Sequence, residues 1–309
     1  MHRNTSPFSL SLYLYINSIS LFEISIRFGY LYMIPLYIDV FDKEKWMEAG
    51  MYKIEDVPCF VGTDEEKQGD SVFVILPSDH MLEAEAFGAE VKYGKKPEET
   101  RTGSYVCERL EEVLSLPEMD FERGRMREIM ERCSQIENGQ ENKRVLLELS
   151  GPFTILNGLM DIKIAYKAMR KQPELMEAVL ERLKKEQLRF LMRAKEAGVR
   201  FFSYGDAPGS LTMLGQSGLE MVTHKFTIDF LKKAEHEIRD DGLMILCPKV
   251  SAALKGLKVV ETISWSLPEE MTYEKICRSL AGKGYLSGQI CLNALQVLIK
   301  NGKIEVLKL

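Results

Sequence analysis

Residues 196–210, EAGVRFFSYGDAPGS, constrain this chain most tightly. The segment opens as the end of a long charged helix, with Gly198 where a helix C-cap sits. Val199–Tyr204 is a short apolar and aromatic burst of strand length. The loop Gly205-Asp206-Ala207-Pro208-Gly209 then carries one carboxylate. Helix, short buried strand and polar loop at the strand's C-terminal end form the repeating unit of an α/β barrel, in which the loops after the strands hold the chemistry.

The unit recurs along the chain. Strand-type runs are read at 57–61, 71–76, 91–94, 145–150, 199–204, 243–247, 259–263 and 285–291. Helical spacing is read between them at 81–89, 105–114, 121–136, 173–197, 219–238 and 250–254, with a last helix at 292–300. Strands alternating with helices predict a parallel sheet. Eight units in 309 residues predict one closed TIM (β/α)8 barrel rather than an open sheet. A GxGxxG after a strand, a Walker loop and a fixed-period repeat are all missing, so nucleotide binding is disfavoured.

Composition narrows the partners. Net charge is −5, and Lys and Arg are interleaved with Asp and Glu, which excludes a nucleic-acid footprint. The six cysteines are scattered, as reduced thiols of a cytoplasmic protein are, and a functional pair among them would be metal-binding or redox. Residues 1–32 differ in composition from the rest. They read as a non-native or disordered extension with Met33 the natural start, the alternative being a membrane or export signal. Residues 33–309 then form a single barrel domain, with no stable membrane insertion.

Three residues at strand ends are candidates for chemistry. Cys247 closes the sixth expected strand and Cys291 follows the eighth, so a barrel would open both onto one rim. Two thiolates there suit zinc, whose catalytic sites use three protein ligands and one open position. The bland reading of each is a small buried hydrophobe. Asp206, at the same edge, suits a catalytic role, orienting a ligand or accepting a proton; its bland role is to cap a helix or pair with an Arg. Asp79 and His80 end the second strand in the same geometric class.

Several segments resemble the uroporphyrinogen decarboxylase superfamily, in particular its zinc-dependent methylcobamide:coenzyme M methyltransferase branch. They are Leu82–Gly94, Gly151–Leu156 (GPFTIL), Ala197–Leu211, Cys247–Leu254 (CPKVSAAL) and Gly288–Leu292, which occur in the family's order. The resemblance implies a TIM barrel, here with a shortened N-terminal region. It also implies a zinc site in which Cys247 and Cys291 match the two family cysteines. The family histidine falls on Ile245, which cannot bind metal, and the glycine after the first cysteine is Pro248. No arginine-rich segment of the kind that holds tetrapyrrole carboxylates is found.

The resemblance thus implies a corrinoid-dependent methyltransferase. A methylated corrinoid on a partner protein would donate a methyl group to coenzyme M or a similar small acceptor. The alternative is a family member that has lost catalysis and binds a corrinoid or a partner; a tetrapyrrole decarboxylase is a third reading.

Overall fold

The computed structural model describes residues 71–309, apart from 78, 96–98 and 140–141. The expected strand at 57–61 and the extension at 1–32 lie outside the described residues.

The centre is a sheet of seven strands. In chain order these are β1 (Phe73–Leu76), β4 (Arg144–Ser150), β5 (Phe201–Gly205), β6 (Leu243–Leu246), β7 (Glu261–Ser266), β9 (Leu286–Ser287) and β11 (Lys303–Lys308). Their spatial order is β1-β4-β5-β6-β9-β11-β7. The first five are mutually parallel, while β11 is antiparallel to both β9 and β7. Two small ribbons stand apart: β2 (Glu90–Lys92) with β3 (Arg101–Ser104), and β8 (Met271–Thr272) with β10 (Leu298–Ile299).

The helices are α1 (Leu82–Ala86), α2 (Gly124–Glu137), α3 (Pro152–Leu159), α4 (Ile162–Lys171), α5 (Pro173–Glu196), α6 (Leu211–Val222), α7 (Ile228–Ile238), α8 (Pro248–Gly256) and α9 (Tyr273–Leu280). Three of them start on proline, at α3, α5 and α8, where the missing N–H costs nothing and the fixed φ suits the first turn. Among the described residues no helix is long and apolar enough to cross a membrane.

Strand register sorts the side chains. Glu148, Ser203, Ile245 and Ser287 are successive cross-strand partners and share one face, because alternate residues of a strand point to opposite sides. Leu147, Phe202, Met244 and Leu286 share the other face, where they join one core with Leu180, Leu183 and Phe190 of α5, Phe230 of α7 and Leu254 of α8. Strands buried on both faces read as unbroken apolar runs, as LMIL of β6 does.

Helix α9 covers the first face. Tyr273 Oη lies 2.7 Å from Ser287 Oγ on β9, and the Cys277 thiol is 4.0 Å from the same hydroxyl. The next residue, Glu274, takes hydrogen bonds from the Ser71 hydroxyl and, at 3.2 Å, from the Val72 amide at the start of β1. In a flat sheet β1 and β9 would stand about 19 Å apart, four strand spacings of about 4.8 Å. Neighbouring side chains on one helix cannot reach across that gap, so the five parallel strands curl around α9.

Several expectations change. Among the described residues the sheet curls without closing: β1 and β7 are its edges. The expected strand at 91–94 belongs to the β2–β3 ribbon, and the one at 259–263 becomes β7, an edge strand paired only with β11. The helix expected at 292–300 is only a 3-10 turn, Leu292–Ala294, followed by β10. There the carbonyls of Leu295 and Val297 accept from Glu274 and Tyr273 at 2.8 and 2.9 Å, so pairing with the start of α9 overrides local helix propensity. The helix at 105–114 contracts to a 3-10 segment, Leu110–Ser115.

Because the Glu274 carboxylate also accepts from Gln296 Nε2 at 2.7 Å, it joins three parts of the chain. Glu274→Ala should lower unfolding free energy by about 3 kcal/mol, mainly by stranding the Ser71 and Val72 donors, with urea unfolding as the measurement.

Candidate functional site

The parallel strands end at one rim, and the residues there come from all five of them. Cys247 immediately follows β6 and N-caps α8, its amide donating to the Tyr204 carbonyl at 2.8 Å. Cys291 lies four positions beyond β9, the strand paired with β6. Strands β6 and β9 are paired, which brings both cysteines to the same edge of the sheet. Burial pushes the Cys291 thiol up to about 11, and Cys247 and Glu148 lie close enough to add to the shift.

Glu148 went unrecognised in the sequence. It is on β4, directly across from Ser203 and one strand further from Ile245. Its Oε2 is closed off from solvent and has no hydrogen-bond partner. Burial raises its carboxyl to about 8, with Glu83, Asp79 and Cys247 adding repulsion. The available signal was a single carboxylate inside the apolar run VLLELS.

Asp206 is committed elsewhere. Its carboxylate accepts from the Thr154 amide at 2.8 Å, the Thr154 hydroxyl at 2.9 Å and the Phe153 amide at 3.3 Å. It thus serves the N-terminal turn of α3, where a helix leaves donors unpaired. The bland capping reading describes its contacts, although the helix capped is α3 rather than the one that follows it. Burial raises Asp206 to about 6, against the pull of these hydrogen bonds. The packing demands glycine: a β-carbon on Gly151 would come within 2.3 Å of the Asp206 β-carbon, and one on Gly209 within 2.2 Å of its Oδ2. Asp206 is accordingly a positioning residue that fixes the GPFT turn against the loop after β5.

On the β1 side, Asp79 Oδ1 accepts from the Met81 amide and from Arg125 Nη2, both at 2.8 Å. Arg125 also pairs with Glu85 at 3.4 Å and lies over the Tyr93 ring. Burial lowers His80 to about 4, so this imidazole is neutral at physiological pH. Behind the rim, Glu83 is buried and accepts from the Ser150 amide at 2.8 Å and from Gln187 Nε2 at 3.1 Å.

Among the described residues no group of three or more His, Cys, Asp or Glu side chains is placed to hold a metal ion. Ile245 fills the row in which a third donor would stand between the thiols and Ser203. Among the described residues the two thiols alone fall one ligand short of the expected catalytic zinc site.

The family model for uroporphyrinogen decarboxylase (URO-D) matches residues 69–262. This chain belongs to the uroporphyrinogen decarboxylase family. Within that URO-D span lie Glu148, Asp206 and Cys247, while Cys291 falls beyond it. Among solved structures, a methyltransferase from Methanosarcina mazei is similar in fold, with a TM-score of 0.50 and 20% identity. The likeness covers 62% of this URO-D chain and 56% of that methyltransferase. A comparison with curated protein sequences finds no match.

Two substitutions test the site's construction. Asp206→Ala should cost about 3 kcal/mol by uncapping α3, and Asp206→Asn, which keeps one acceptor oxygen, should recover part of it in the same unfolding assay. The Glu148 carboxyl, raised from 4.5 to about 8, favours the folded state fully only below its unfolded value. Melting temperature of the native protein should therefore fall relative to Glu148→Gln between about pH 4.5 and 8, and run parallel to it above.

Proposed function

We infer that this chain is a methyltransferase-type member of its family. In this reading it moves a methyl group from a methylated corrinoid, carried by a partner protein, to a small thiol-like acceptor at the rim. The observation that carries the reading is that Glu148 of β4, Cys247 after β6 and Cys291 after β9 lie within range of one another's charge, toward the edge where a barrel-type scaffold presents its reactive groups. All three residues are partly exposed, so a ligand can reach them. The likeness in fold to a methyltransferase is consistent with it.

The electrostatics disfavour tetrapyrrole decarboxylation. A polycarboxylate substrate needs cations, whereas among the described residues the rim carries Asp79 and Glu148, and Arg125 is already held by Asp79 and Glu85.

Transfer joins the acceptor's sulfur to the methyl carbon and releases the proton of its S–H group. The electron pair of the broken bond stays with the donor. Glu148, the carboxylate beside the thiols, accepts the proton. Cys247 and Cys291 line the acceptor's position, and Asp206 holds the α3 turn in place beside it. Because two thiols leave zinc short of a ligand, no metal takes part in this scheme.

Anaerobic incubation with methylcobalamin and a small thiol tests the reading, with loss of the methylcobalamin absorbance as the readout. Transfer is expected, and Cys247→Ser, Cys291→Ser and Glu148→Gln should each slow it by about tenfold or more. Zinc in the purified protein should fall far below one per chain. One zinc per chain, lost in both serine variants, would instead show a metal centre. Binding of methylcobalamin without transfer would favour the non-catalytic reading, to which Ile245 points.

A further inference from the structure

The structure leaves Glu148 unserved. Its Oε2 has neither water access nor a hydrogen-bond partner, although buried carboxylates ordinarily gather several donors. The groups that bear on it, Glu83, Asp79 and Cys247, are all acidic. Cys291, on the next strand end, feels Glu148 in turn. The buried donors that serve the neighbouring acids do not reach it. Arg125 is held by Asp79 and Glu85, and Gln187 Nε2 serves Glu83 and the Ser150 carbonyl. Below Glu148 the curled face is filled, since Ile245 is aliphatic and Ser287 is bonded to Tyr273. The open direction is the rim, where the two cysteines stand.

We propose that the acceptor bound beside Cys247 and Cys291 is a small molecule carrying a protonated amine close to its reacting atom, and that Glu148 selects it. An ammonium group brings three N–H donors to an orphaned carboxylate and a charge opposite to the surrounding acids. A sulfonate or carboxylate on the acceptor would add a like charge beside the acids that bear on Glu148. This inference rests on the reading of the rim as an acceptor site.

Three thiols of equal backbone test it: 2-aminoethanethiol, 2-mercaptoethanol and 2-mercaptoethanesulfonate, whose end groups are cationic, neutral and anionic. Calorimetry on the full chain above about pH 8, where Glu148 is ionised, should find the aminothiol about tenfold tighter than the neutral thiol, and the sulfonate weakest. Glu148→Gln should erase the order, and Glu148→Asp, which keeps the charge, should retain it. A sulfonate that binds as well as the aminothiol, an order that survives in Glu148→Gln, or no binding of any of the three would overturn the proposal. Methyl transfer from methylcobalamin to all three thiols at similar rates would overturn the selection and leave the methyltransferase reading standing. A charge preference without transfer would do the reverse.

Discussion

The contact on which the rest depends is the clasp at the start of α9. Tyr273 holds the hydroxyl of Ser287 on β9, and Glu274 holds the leading residues of β1. These two bonds join strands four places apart in the sheet, and the curl follows from them. Curling turns one face of the sheet inward, where a carboxylate can be buried as Glu148 is. It also turns the strand ends toward a common rim. Cys277, raised to about 12 by burial beside Ser287, is part of the same filling and not of the rim. The lower part of the curled face is thus closed by α9, and ligand access is left to the C-terminal edge.

At that edge, two kinds of buried acid serve different ends. Asp206 and Glu83 are each surrounded by donors, from the α3 turn in one case and from Ser150 and Gln187 in the other. Their desolvation is offset by hydrogen bonds, and they stiffen the loops after β5 and β4. Glu148 carries a similar desolvation cost with one oxygen wholly unpartnered. A protein retains such a group against stability only where something outside the fold completes it. The contrast between these acids, rather than their number, marks the rim as a place for a ligand.

Much of this was legible in single segments. EAGVRFFSYGDAPGS folds as read, into helix end, β5 and a loop, because Gly198 takes a φ of +101° that stops α5 and the first four residues of β5 are buried. LMILCP folds into β6 and the first turn of α8, with Pro248 at its start. Cys247 and Cys291 could be placed together because strand ends of a parallel sheet share an edge. The segment 292–300 misled, since its apolar spacing suits a helix, yet its carbonyls are taken by the start of α9. Strand β11 was not anticipated: KIEVLK alternates out and in over its first four residues, but its role depends on inserting antiparallel between β9 and β7.

The sequence by itself determined the alternation of strands and helices, the loops at which the chain turns and the pairing of two cysteines with an aliphatic residue where the resemblance implied a histidine. These are local matters of period, of proline and glycine geometry and of side-chain chemistry. Tertiary structure alone decided how far the sheet curls, that Asp206 caps α3, and that one oxygen of Glu148 is left without a partner. Each of these depends on which distant groups arrive beside a residue, and desolvation and hydrogen-bond satisfaction are properties of that arrival.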